Sequence, residues 1–250
     1  MKKYKILIIG IIVLLISLLL LVIVFKDRLP FKESLPKNTD EVESMVNISQ
    51  SEMSAFVFAT QESSQDHRLH INFTPFLMID IGENIISDLY IENFKGESDA
   101  GDILLIHPTS LSTDTVGRTF LFTETTDLMK SDTIASKGDS IEYEVVSEVT
   151  KYNQVLNTGS ITPYFGVIIK DIGTVNYEEV LKRDNVFEGS KYLEYSGVDI
   201  EKLNSTIQFD IRIVFEDGKI YRKRLWGTLE GEKLKTEISP LITLERVEEL

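Results

Sequence analysis

TIQFDIRIVF at 206–215, EDG at 216–218 and KIYRKRLWGTL at 219–229 form the stretch on which the fold turns. Along its first arm Ile207, Phe209, Ile211, Ile213 and Phe215 recur at every second position, the period of a strand with one face in a core. Glu216, Asp217 and Gly218 interrupt the pattern, and the two arms read as a hairpin. Two registers compete. A two-residue Asp217-Gly218 turn sets Ile213 opposite Arg222 and Ile211 opposite Arg224, putting two guanidiniums among aliphatic side chains. A three-residue loop with Gly218 left-handed in a bulge pairs Ile213 with Tyr221, Phe209 with Leu225 and Asp210 with Arg224. An unpaired buried charge costs several kcal/mol whereas a bulge is common, so the second register is expected, with Arg222 pointing away from the core.

Outward from the hairpin, similar segments recur: MSAFVFAT at 53–60, RLHINFT at 68–74, FLMIDI at 76–81, ISDLYIENF at 86–94, DILLIH at 102–107, RTFLFTE at 118–124, SIEYEVVSEVT at 140–150 and ITPYFGVIIKDI at 161–172. Each is short, rich in Ile, Val, Phe or Thr, and bounded by turn residues. Helical patterning is scarce. NYEEVLKRDN at 176–185 places Tyr177, Val180 and Leu181 on one side; TTDLMKS at 125–131, VDIEKL at 198–203 and a short helix at 39–46 are weaker. The expectation is a mainly β fold over 51–250, an antiparallel β-sandwich of immunoglobulin-like or jelly-roll-like kind. A division into two subdomains would fall in the loop-like stretch 125–140.

Ahead of this body stands ILIIGIIVLLISLLLLVIVF, Ile6 to Phe25, twenty residues without a charge. At about 1.5 Å per residue it makes a helix of about 30 Å, the thickness of a bilayer's hydrocarbon core. Gly10, Leu15 and Leu20 lie along the expected span. Lys2, Lys3 and Lys5 precede it, which favours a cytoplasmic tail at 1–5 and everything after Phe25 outside. Lys26, Arg28 and Lys32 follow it, so the bias in charge is modest. A cleaved leader would have a shorter apolar core followed by small residues, whereas Val24, Phe25, Lys26 and Asp27 stand here, so an uncleaved anchor is expected. Pro30, Pro36 and the polar run KNTDEVES mark 26–50 as a tether.

The first 40 residues hold seven Lys/Arg and three Asp/Glu, net +4, while the other 210 hold 19 against 37, net −18. A nucleic-acid binder carries a basic footprint, so that partner class is not expected. With no cysteine, disulfides, zinc–thiolate sites and thiol nucleophiles are excluded.

Motifs for chemistry are sparse. His67 and His70, three apart on a strand, fall on opposite faces and do not share a metal, and both read as surface residues. His107 before Pro108 reads as a strand end. Ser34-Leu35-Pro36-Lys37 has the S-x-x-K spacing of penicillin-interacting serine enzymes but lies in the tether with no S-D-N or K-T-G after it. Glu97, Asp99 and Asp102 in KGESDAGD could suit calcium, although the EF-hand spacing is missing and a solvated acidic loop is the simpler reading. Lys219, Arg222, Lys223 and Arg224, with Trp226, form the candidate binding patch. Alternation splits the cations between two faces, and pairing with Asp210 and Glu216 is the plainer expectation. Tyr164, Tyr192, Tyr195 and Trp226 are candidate sugar platforms.

The function expected from this pattern is a membrane-anchored extracytoplasmic scaffold or protein-binding module of a bacterial cell envelope, non-catalytic and without a cofactor. A carbohydrate or wall-polymer binder is the second expectation and an envelope hydrolase the third.

Overall fold

Residues 37–63, 65–106, 138–151, 153–183 and 189–247 are described by the computed structural model. The expected tail, the span from Ile6 to Phe25 with Gly10, Leu15 and Leu20, the first part of the tether, His107, the strand at 118–124, the helix at 125–131 and most of 125–140 lie outside these residues. Among the described residues no helix is long and apolar enough to cross a membrane.

The hairpin forms as the alternation requires. Strand β9 (Ser205–Phe215) pairs antiparallel with β10 (Ile220–Leu229), with Ile213 opposite Tyr221, Phe209 opposite Leu225 and Asp210 opposite Arg224. Gly218 has φ 84°, and its N–H donates to the Phe215 carbonyl at 2.9 Å. Ile207, Phe209, Ile211, Ile213 and Phe215 are at most 2% exposed. Burying each stabilises the fold by about 1.5–3 kcal/mol, which makes β9 the central strand of the core.

The other strands are β1 (Asn47–Gln61), β2 (Asp66–Asp80), β3 (Ile86–Ser98), β4 (Ile103–Ile106), β5 (Ile141–Val146), β6 (Gln154–Leu156), β7 (Ser160–Ile161), β8 (Gly166–Asn176), β11 (Leu241–Thr243) and β12 (Glu245–Arg246). One sheet has the order β11-β1-β2-β8-β4, with β7 also on β2. The second runs β12-β10-β9-β3-β5-β6. The pairings are antiparallel except β5 with β6. Phe73 and Leu77 of the first sheet and Phe209 and Leu225 of the second belong to a single buried cluster, where Phe165 meets Phe209 edge to face at 5.2 Å.

Several boundaries differ from those expected. The segments at 68–74 and 76–81 are one strand, β2, which runs through Pro75. β8 pairs with β2 up to Phe73 and β7 at Ile79 and Asp80, so among the described residues that edge has no strand partner at Pro75, where a residue without an N–H is tolerated. The segment at 161–172 is broken instead: β7 ends at Ile161 and β8 begins at Gly166. The body starts before residue 51, since Val42, Val46 and Ile48 belong to its buried cluster. Helix α1 (Asp40–Ser44) buries Val42, capped by the Thr39 hydroxyl, and Val46 and Ile48 follow it into the core. Helix α2 (Tyr177–Arg183) and a 3-10 turn at Ile200–Leu203 occur where patterning placed helix. Helices α3 (Gly189–Ser196) and α4 (Lys233–Thr236) were not legible as such.

Candidate functional site

Where the second sheet ends, β3, β9 and β10 line up Glu97 with Thr206 and Thr206 with Thr228 across the strands. Beyond Ser98 the chain turns into β4, and the turn is tight: a Cβ on Gly96 would stand 2.5 Å from Cβ of Ile103. Ser98 holds the turn by accepting from the Ala100 N–H and donating to the Lys202 carbonyl, both at 3.2 Å. On the far side the Asn204 amide oxygen accepts from the Gly231 N–H at 2.8 Å. Between these walls lies an open groove of about 810 Å³, lined by Glu97, Asp99, Asp102, Glu230, Thr206 and Thr228 among others. Glu230 faces Lys233 at 3.9 Å, whereas the side-chain carboxylates of Glu97, Asp99 and Asp102 have neither a hydrogen bond nor an ion pair among the described residues. The groove thus gathers exposed carboxylates and hydroxyls around a framework whose own polar groups are already used. No group of three or more carboxylates or histidines among the described residues is placed to hold a metal ion.

The candidate basic patch is dispersed. Arg224 is buried on the outer face of the second sheet, where Nε and Nη2 donate to the two Asp210 carboxylate oxygens at 2.6 and 2.8 Å. Asn93, at φ 55° in a bulge of β3, donates to the same carboxylate at 2.9 Å. One strand pair along, Arg212 donates to Glu92 at 2.9 Å and lies 3.7 Å above the Tyr90 ring. Lys223, on the other face, pairs with Glu43 of α1 at 3.2 Å; Lys219 pairs with Asp217 at 2.6 Å and Glu41 at 3.0 Å, in place of the expected Glu216. These partners hold the Asp217 carboxyl below its ordinary pKa and raise that of Lys219. Arg222 is half-buried and points away from the core, as the register required. Trp226, also half-buried, stands on the outer face beside Gln208. Of the four candidate platforms, Tyr192 is buried at 8% exposure, Tyr195 and Trp226 are half-buried, and Tyr164 is open at 46%.

His70 corrects a surface reading. It is 3% exposed, with the Phe58 ring 5.1 Å away on the paired strand β1. Its Nδ1 accepts from the Asp171 N–H at 3.1 Å, which leaves Nε2 to donate to the Thr60 hydroxyl at 2.7 Å. Asp171 has φ 56°, so the ring pins a bulge of β8. Burial drives the His70 pKa down to about 4, against an opposing pull from Asp171. His67, half-buried on the opposite face of β2, stacks on Tyr177 at 4.4 Å.

No protein-family model, curated protein or solved structure matches this chain. What it defines by itself is a mainly β body with antiparallel sheets, an acidic groove at one end and an ion-paired outer ladder.

Proposed function

We propose that the chain is a single-pass membrane protein, N-terminus cytoplasmic, that holds an acidic β-sandwich outside the cell membrane as a non-catalytic binding module for an envelope protein. The apolar run Ile6–Phe25 and the lysines before it support the anchor, and the buried cluster shared by two sheets supports the sandwich. The observation that carries the binding role is the groove, where the carboxylates of Glu97, Asp99 and Asp102 stand together with no ion-pair partner among the described residues. In a body of net −18 such a groove draws a basic segment of a partner and fixes its orientation. Anchoring keeps partner and groove at high effective concentration.

The wall-polymer alternative loses support from the same geometry, because Lys219, Lys223 and Arg224 are already engaged within the body. The test is affinity capture of the full-length protein from membranes, wild type against Glu97→Gln/Asp99→Asn/Asp102→Asn. A partner enriched by the wild type and lost from the variant supports the reading. Equal capture by both removes the groove from it.

A further inference from the structure

We infer that β10 carries a strand-addition site for an extended acidic segment of a partner protein, and that residues 38–45 occupy this site in the resting body as a displaceable strap. This goes beyond the groove, which lies at the other end of β10.

The argument starts from the edge of the second sheet. Among the described residues β10 is followed on this edge by two residues of strand, β12, paired at Leu225 and Trp226. The Val247 N–H reaches the Arg224 carbonyl at 3.1 Å, and among the described residues strand-like cover stops there. At Arg222 the outward backbone groups meet a single side chain: the Asn38 amide oxygen accepts from the Arg222 N–H at 3.0 Å and its nitrogen donates to the Arg222 carbonyl at 2.8 Å. An amide side chain here does what one residue of a neighbouring strand would do. The same nitrogen reaches Glu43 at 2.8 Å, and Glu43 in turn holds Lys223. Partial burial works against the charge on Glu43, but these hydrogen bonds prevail and its pKa is lowered.

The chemistry that recognises the site is visible in the strap. Residues 38–44 carry Asp40, Glu41 and Glu43, and they lie against Lys219 and Lys223. Arg222 has no ion pair among the described residues, so one cation of this edge still lacks an anion. A second copy presenting the same β10 edge would bring Lys219, Arg222 and Lys223 against like charges, which disfavours self-pairing. An extended acidic chain would instead satisfy the backbone and the three cations together, which is the mode by which peptides add to sheet edges. The strap is held by half-exposed ion pairs, each worth little, and by the burial of Val42, so a full strand can compete with it.

The experiment uses the full-length protein in detergent and an alternating Glu/Val/Thr peptide of about eight residues. Hydrogen exchange is followed at Val42–Met45 and at the Arg222 amide. The inference predicts that the peptide speeds exchange in the strap by about tenfold while Arg222 stays protected, because one cover replaces another. Asn38→Ala is expected to bind the peptide about tenfold more tightly than wild type, a gain that unfolding cannot produce, and Lys219→Glu/Lys223→Glu about tenfold more weakly. The inference fails if neither wild type nor Asn38→Ala binds the peptide, if binding leaves the strap unchanged, or if strap and Arg222 lose protection together. None of these results depends on the groove, so the two readings stand or fall separately.

Discussion

Asp210 and Arg224 lie side by side with 0% and 7% of their side chains exposed, and each is tolerable only because the other is present. Arg224→Met leaves the Asp210 carboxylate buried with Asn93 as its donor, and a loss of about 3–5 kcal/mol in urea denaturation is expected. Adding Asp210→Leu should recover most of that loss, since a buried pair is often no better than apolar side chains of similar volume. His70 gives the body a second signature. An unfolded histidine titrates near 6.5 and the folded one near 4, so the unfolded chain takes up a proton first as pH falls. Stability is therefore fully present above about pH 6.5, declines between 6.5 and 4 by about 3 kcal/mol, and is flat below as far as this group is concerned. Melting across that window should show the decline, and His70→Gln should flatten it. A decline of equal size in the variant would assign it to other groups.

The hairpin of β9 and β10 was readable because two local facts agreed: strict alternation on one arm, and the penalty for placing Arg222 or Arg224 among aliphatics. Gly218 carries the turn at φ 84° with nothing near its Cβ position, so Gly218→Ala is expected to cost about 1–2 kcal/mol by backbone strain alone. Gly96 serves differently, since an added methyl meets Ile103; Gly96→Ala is expected to cost about 1–3 kcal/mol and to disturb the groove wall. Denaturant titration of the two variants checks both figures. The groove was legible only in part. Glu97, Asp99 and Asp102 stand out as a local run, but Thr206 and Thr228 join them through the pairing of three strands, which local pattern does not supply. His70 was misread for the same reason, because Phe58 and Thr60 of β1 and Asp171 of β8 meet its ring only through strand pairing. The strap was misread as tether because KNTDEVES is polar, and only Val42 and the reach of Asn38 to Arg222 reveal it as part of the body.

At the scale of the molecule, the proposed arrangement is a net −18 body that follows the apolar run Ile6–Phe25 and lies beyond the membrane. Charge of this size favours solubility and repulsion from anionic lipid, and at higher ionic strength capture of a basic partner by the groove should weaken. Raising salt during affinity capture checks this, and retention that is indifferent to salt would point to an apolar contact instead. The absence of cysteine permits the most direct test of the central claim. Ser147 is exposed, so Ser147→Cys supplies one reactive thiol on the body. A membrane-impermeant maleimide applied to intact cells should label it as fully as in lysed cells, on a polypeptide that stays with the membrane fraction. Labelling only after lysis, or a labelled chain that begins downstream of Phe25 and leaves the membrane, would contradict the account.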